Sequence, residues 1–437
     1  MKKKLFEFIF LPVLFAILVY IGIMECGLFI WIALVPGLYL VFKYNFGKIW
    51  QSALLGSILI PIFLTWFVVI FDNWYFLYAI LYIGSFYWLF LLTVNLIVHK
   101  ITWSSKVLAP PFVWLLFTFL YSLMPGKVHW WFNIGDMQPM LYPLTLLSGY
   151  GITFLAVFFN SLLAAYLVDK GKKRLYLALF IVLILIVSFA YSFVASPKGD
   201  KLVKVAVIQG NFPQDWAWRV AHADSDILDK YSQLTTEITK QKPDIIVWPE
   251  YAIPKDLLLH KELYKKISDI ARESNSNLVI GTLVNAPKVD LQKNYEWDTA
   301  LVFSRQGDLI GRYDSIIPFP FKNWVIAGKE LPLIKTDVGS FGVSMCYEEF
   351  LPSIARQYSR LGAQFLISLV NDEPINSKNA MISKSWHART RAAENNKYLL
   401  RAANTGLTQI INPYGKVVAS LEPGKEGYLL ADIYISE

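Results

Sequence analysis

The first 196 residues hold seven long apolar runs, at about 5–24, 27–43, 50–71, 75–98, 107–124, 140–168 and 175–196, separated by short polar loops. Crossing the hydrocarbon of a bilayer takes roughly 20 mostly apolar residues, so each run predicts a transmembrane helix. Beyond residue 200 the pattern changes to shorter periods. VKVAVIQ (203–209), DIIVWPE (244–250), LVIGTLV (278–284), FGVSM (341–345) and FLISLV (365–370) predict buried strands. Residues 224–241, 261–274, 351–361 and 377–396 read as helices, and three or four short strands close the chain. Strands alternating with helices, then running as hairpins, predict a layered α/β domain over 201–437 behind a seven-helix membrane domain over 1–196.

Composition sharpens that division. Hydrophobic residues make up 55% of the 437 and charged residues 17%, against roughly 25% charged in an ordinary globular domain. MKKK before the first run looks like the start of a signal peptide. No small-residue cleavage site follows and six more spans come after it, so a retained helix is expected. Basic residues collect in alternate loops: Lys2, Lys3 and Lys4; Lys43 and Lys48; Lys100 and Lys106; Lys170, Lys172, Lys173 and Arg174. The remaining loops hold Glu25, then Asp72 and Asn73, then Lys127 with Asp136. The positive-inside rule makes the basic side cytoplasmic, and an odd number of spans then makes the C-terminal domain extracytoplasmic. Trp130, Trp131 and Phe132 in the loop 125–139 read as an interfacial aromatic belt or as a grip on a lipid chain.

Several function classes fall away. The net charge of +8 is concentrated in membrane loops, and no basic stripe with a nucleic-acid module accompanies it. Cys26 and Cys346 lie in different halves, so no disulfide framework is implied, and neither CxxC nor HExxH is present for a metal. Neither a metal nor another cofactor is expected. A transporter is disfavoured, since no charged residue lies deep within a span and no broken repeat halves are visible.

Two strand ends carry candidate chemistry. Cys346 follows FGVSM, where free backbone N–H groups and a helix dipole would favour a thiolate. Glu250 in WPEYAIP follows DIIVW, where a carboxylate can serve as base for a thiol and acid for a leaving group. Taken alone, such a cysteine reads more readily as inert packing.

The two motifs together resemble the carbon–nitrogen hydrolase (nitrilase) superfamily. That resemblance implies an α-β-β-α sandwich with a Glu, a Lys and a Cys at strand ends. AVIQGNFPQDWAW (206–218), ARTRAAENNKYLLRAANTG (388–406) and the apolar GYGITFLAVFFNSLLA (149–164) are similar to its membrane-anchored branch, the apolipoprotein N-acyltransferases. The resemblance covers nearly the whole chain. It implies a bacterial inner-membrane enzyme without cofactor that moves an acyl chain from a phospholipid, through a thioester on Cys346, to an amine. The amine implied is the N-terminus of a lipoprotein. Tyr347 and Glu348 match the pattern after the cysteine, where the Glu would orient neighbouring groups. Glu348, Arg389, Arg391, Glu394 and Arg401 also read as a buried ion network holding the domain together.

The pattern breaks at the lysine. The family's segment is of the type YxKxxLVPFGE, whereas this chain has RYDSIIPFPF, two residues shorter between Tyr313 and Pro318. The lysine's position falls on Ser315 counted from Tyr313, or on Tyr313 itself counted back from Pro318. Phe321 stands where PFGE has its glutamate. Lys322, just beyond the shortened loop, and Lys384, on the helix where the family usually has histidine, are the candidates to supply the charge. In the fifth span Thr118 and Tyr121 occupy positions where relatives tend to carry Glu and Arg. These departures keep two alternatives open: a catalytically impaired pseudoenzyme that binds lipid or a partner, and an amidase or lipid hydrolase using water.

Overall fold

The computed structural model describes residues 6–65, 73–102, 106–124, 133–213, 215–286, 295–320, 322–372, 375 and 377–436. It divides into two compact units, Met1–Val194 and Ala195–Glu437.

The first unit is helical. A π turn, Phe6–Phe10, leads into α1 (Leu11–Met24); α2 (Ile30–Ala33) and α3 (Val35–Lys43) follow, then α4 (Phe46–Thr65), α5 (Asn73–Val98), α6 (Ala109–Ser122), α7 (Ser148–Asp169) and α8 (Lys172–Val194). Among the described residues, five apolar helical stretches are long enough to cross a membrane: Glu7–Met24, Phe46–Leu64, Ile80–Val98, Leu144–Asp169 and Lys172–Val194. The expected second and fifth spans are the shorter apolar helices Gly27–Lys43 and Ala109–Ser122. Pro36 removes an N–H at the start of α3, and the chain breaks between α2 and α3. Asn160 of α7 satisfies the broken backbone, accepting from Leu34 N (2.9 Å) and donating to Ile30 O (2.9 Å). The expected helix over 140–168 starts at Ser148, after a 3-10 turn over Leu144–Leu147. Apolar residues alone do not show that Pro143 withholds the N–H a continuing helix needs. Trp130, Trp131 and Phe132 lie outside the described residues.

The second unit is a four-layer α-β-β-α sandwich: layered α/β as the alternating strands and helices predict, with the arrangement the family resemblance implies. Its strands are β1 (Lys201–Gln209), β2 (Ile245–Val247), β3 (Asn277–Asn285), β4 (Glu296–Phe303), β5 (Leu309–Asp314), β6 (Ile334–Lys335), β7 (Ser340–Met345), β8 (Phe365–Val370), β9 (Tyr398–Ala403), β10 (Thr408–Ile411), β11 (Val417–Leu421) and β12 (Gly427–Ile435). Its helices are α9 (Trp216–Ala221), α10 (Leu228–Thr239), α11 (Lys261–Ser274), α12 (Pro352–Arg360) and α13 (Lys378–Asn395). One sheet has the order β12-β1-β2-β3-β4-β5 and the other β11-β10-β9-β8-β7-β6. The central trios β1-β2-β3 and β7-β8-β9 are parallel.

Period-two alternation assigns the faces. Val203, Val205 and Val207 of β1 meet Val343, Ile367 and Leu400 of the other sheet in the central core. Ala206 and Ile208 point outward to Tyr231 and Ile238 of α10 and Ile267 of α11. On the far sheet Gly342 lets α12 approach, since a Cβ there would meet the Tyr358 ring at 2.1 Å. Because both trios are parallel and face each other, the C-terminal ends of β2, β7 and β8 come together.

Candidate active site

Glu250 is fully buried just past β2. The Pro249–Glu250 turn lies against β3, where a Cβ on Gly281 would meet Pro249 O at 2.4 Å and Glu250 Cα at 2.6 Å. Glycine inside this strand therefore marks a close backbone approach. The Asn371 N–H, just past β8 in the other sheet, donates to Glu250 Oε2 at 2.6 Å. The two sheets thus meet at this carboxylate.

Cys346 ends β7 with φ at +41°, a left-handed conformation that a non-glycine residue adopts only under constraint. Glu348 supplies that constraint. Its carboxylate accepts from Met345 N at 2.8 Å and Ile317 N at 3.0 Å. It also accepts from the Tyr313 hydroxyl at 2.7 Å and from Ser315 Oγ at 3.0 Å. Tyr313 and Ser315, the two counted positions for the lysine, thus tie the strand end to the loop after β5. Tyr347 is buried and packs its ring on Phe319 and Phe350, with centroids 5.6 and 5.5 Å away.

Two lysines reach this centre from different elements. Lys322 Nζ donates to Glu250 Oε1 at 2.9 Å and to the Tyr251 hydroxyl at 2.7 Å, and lies 3.9 Å from Asp298 Oδ2. It sits on a turn of the irregular segment after β5, where Val325 N donates to Lys322 O at 3.0 Å. Lys384 projects from α13, with Nζ 3.5 Å from Cys346 Sγ and 2.6 Å from Asp372 Oδ1. Phe321 lies outside the described residues.

The arginine network differs from the expected one. Arg401 is fully buried and donates to both oxygens of Glu349, at 3.0 and 2.9 Å, and to Asp372 at 2.9 Å. Glu348 binds hydroxyls and amides instead of guanidinium groups, because its strand-end position faces the loop after β5. Arg391 pairs with Glu394 at 3.0 Å, and Arg389 donates to Gly415 O at 2.9 Å. Asn404 of RAANTG exchanges hydrogen bonds with Phe212 of GNF, at 3.0 and 2.9 Å, which joins those two motifs. Gly406 of the same motif leaves room for Asp372, whose Oδ2 a Cβ would meet at 2.1 Å.

Asp372, Glu349, Asp298 and Tyr251 escape the motif reading. Asp372 follows β8 as Glu250 follows β2, and that strand-end carboxylate in LVND was a usable signal. Asp298 lies inside β4 with no motif around it.

Burial raises the Cys346 thiol to about 12; the negative charge of Glu250 adds to the rise, and Lys384 and Lys322 oppose it. Burial works most strongly against an ionised Glu250, but the charge of Lys322 and the hydrogen bonds from Asp298, Cys346 and Lys322 together outweigh it and hold the carboxyl below its ordinary range. Asp298 is driven well above its ordinary range, by burial first and then by Glu250. Burial is outweighed at Asp372 by Arg401 and Lys384, which leaves it ionised. At neutral pH the centre therefore holds a protonated thiol beside an anionic base. Such a pair can move a proton from sulfur to carboxylate as sulfur attacks a carbonyl.

A thiol and a carboxylate at the strand ends of an α-β-β-α sandwich, with a lysine brought to them, define a class, and a family model agrees. The carbon-nitrogen hydrolase model matches residues 204–437. The chain belongs to that family. Among curated proteins it is similar to the apolipoprotein N-acyltransferase of Geobacter metallireducens, 28% identical over 338 residues, which cover 70% of this chain and 64% of the relative. The apolipoprotein N-acyltransferase of Photobacterium profundum is 26% identical over 356 residues, covering 76% and 68%. This chain thus spans about two thirds of the length of the curated relatives it matches. A solved carbon-nitrogen hydrolase from Helicobacter pylori is 18% identical and covers 53% of this chain and 88% of its own, with a TM-score of 0.44.

Proposed function

We propose that this protein is a membrane N-acyltransferase that carries an acyl chain on Cys346 from a phospholipid to an amine, the N-terminus of a lipoprotein. The observation that carries this reading is Lys322 on Glu250, at 2.9 Å, in a site where both neighbour Cys346. It supplies from beyond the shortened loop the cation whose absence kept a pseudoenzyme reading open. Glu250 takes the Sγ proton as sulfur attacks the ester carbonyl, and returns it to the leaving lysophospholipid. In the second half the amine attacks the thioester; the C–N bond forms, the C–S bond breaks, and Glu250 passes the amine proton to sulfur. Lys322 stabilises the oxyanion of both tetrahedral intermediates. Similarity to curated apolipoprotein N-acyltransferases supports the donor and acceptor classes.

The apolar helices support placement in a bacterial inner membrane, where both substrates reside. The Lys-rich loops around Lys43, Lys100 and Lys172 face the cytoplasm by the positive-inside rule, and the C-terminal domain faces away from it.

The test is transfer of a labelled acyl chain from phospholipid to a diacylated lipopeptide by the full chain in lipid nanodiscs. Label on the free amine of the lipopeptide, and none when that amine is acetylated, is expected. Free fatty acid without labelled peptide would make the protein a lipid hydrolase. Bound lipid without any transfer would make it a pseudoenzyme.

A further inference from the structure

The two lysines are not interchangeable. Lys322 gives two of its three N–H donors to Glu250 and Tyr251, so it addresses the base and keeps one donor for the oxyanion. Lys384 is 3% exposed and enters from α13, with the Phe350 ring 5.7 Å from its ammonium. It has three N–H donors. One goes to Asp372, another points to Sγ at 3.5 Å, and Glu349 lies 3.9 Å away. Asp372 and Glu349 are in turn bound by Arg401.

Charge counting gives this arrangement a meaning. Lys384 and Arg401 balance Asp372 and Glu349, so the quartet is neutral while the thiol is protonated. Lys322 balances Glu250 in the same state. When the proton moves from Sγ to Glu250, the new negative charge on sulfur has Lys384 within 3.5 Å. Among the described residues, Glu250, Lys322, Tyr251, Lys384 and Asp372 act on Cys346 from the surrounding elements.

We propose that Lys384 is a second catalytic cation, which receives the thiolate both when Cys346 is activated and when sulfur leaves as the thioester is broken. This rests on the acyl-transfer reading above. It divides the work between two lysines, Lys322 for the base and the oxyanion, Lys384 for the sulfur. Sulfur leaves the thioester as a thiolate in a buried place that disfavours its charge, and Lys384, 3.5 Å away, is the cation that opposes this where the second half-reaction needs it. Arg401 and Glu349 are positioning residues, since they reach sulfur only through Asp372 and Lys384.

The test separates thiol chemistry from turnover. In a Cys26→Ser background, where Cys346 is the remaining thiol, iodoacetamide alkylation is followed from pH 7 to 10 for wild type, Lys384→Met and Lys384→Arg. A charge in contact moves a pKa by roughly 1–3 units. Lys384→Met is therefore expected to alkylate about tenfold or more slowly at each pH, with Lys384→Arg recovering most of the rate. In single-turnover acyl transfer, Lys384→Met should also accumulate acyl-enzyme, its second step slowed more than its first. Thermal melts identify any unfolded variant, and Lys384→Arg keeps the charge where Lys384→Met does not fold: its rate must then stay within a few-fold of wild type. Alkylation of folded Lys384→Met within twofold of wild type would overturn the proposal. Failure of wild type to form any acyl-enzyme would instead overturn the acyl-transfer reading, leaving the alkylation comparison intact.

Discussion

The loop after β5 and helix α13 each bring one lysine to the same centre, and they do it by opposite means. Lys322 rides an irregular segment, its side chain 22% exposed, and is held by the groups it serves, Glu250 and Tyr251. Lys384 is locked into a rigid helix by a buried quartet that reaches back to β9 through Arg401. The difference teaches where stability and activity separate. A loop-side substitution at Lys322 breaks one buried pair, with Glu250, whereas Arg401 of the quartet holds two buried carboxylates, so the loss of stability is expected to be larger there.

The largest effect on the loop side is expected at the base. Glu250→Gln keeps the shape and loses the proton acceptor, so acyl transfer falls by about 10²–10⁴ in kcat/KM with the melting temperature hardly changed. The pH profile of wild type carries the same information. The Glu250 pKa is lowered in the folded protein, so its base form persists as pH falls and activity is lost only below the ordinary carboxylate value of 4.5. An acid limb centred at pH 5.5 or above would contradict this.

On the quartet side, Arg401→Met leaves Asp372 and Glu349 buried with one cation between them. Breaking a buried pair in this way costs about 3–5 kcal/mol, readable by denaturant unfolding of the protein in detergent. Lys322→Met returns the comparison to the loop: activity falls about 10²–10³, the effect of losing one oxyanion donor, with a smaller loss of stability than Arg401→Met because one buried carboxylate loses a partner instead of two. If Lys322→Met unfolds the domain while Arg401→Met does not, the contrast between the two regions is wrong. The smallest change is at the strand end. Ser315→Ala removes one of the donors that satisfy Glu348 and should cost about 1 kcal/mol of stability with a modest loss of activity.

Regular elements were the legible part. α11 runs over the residues its periodicity predicts, Lys261–Ser274, and β8 over FLISLV. Both have period and burial on their side. β4 and β5 went unread, although Gly307 at φ +85° in the turn between them is a hairpin signal. Cys346 and Glu250 were legible because each ends a strand inside a motif. Lys322 was visible only as a candidate, since counting along RYDSIIPFPF measures sequence and not the path of a remodelled loop. Ser315 and Tyr313 occupy the counted places yet bind Glu348. Asp298 gave no signal, because its role comes from register: in β4 it sits opposite Leu283 of β3, which brings it to Tyr251 and Lys322.

The proposed acyl transfer stands on a thioester at Cys346, and intact-protein mass spectrometry reads it directly. After incubation of the full chain with phospholipid, one acyl chain is expected on wild type, removed by neutral hydroxylamine, and none on Cys346→Ala. An adduct that persists on Cys346→Ala, or no adduct on wild type while lipid is bound, would contradict the thioester.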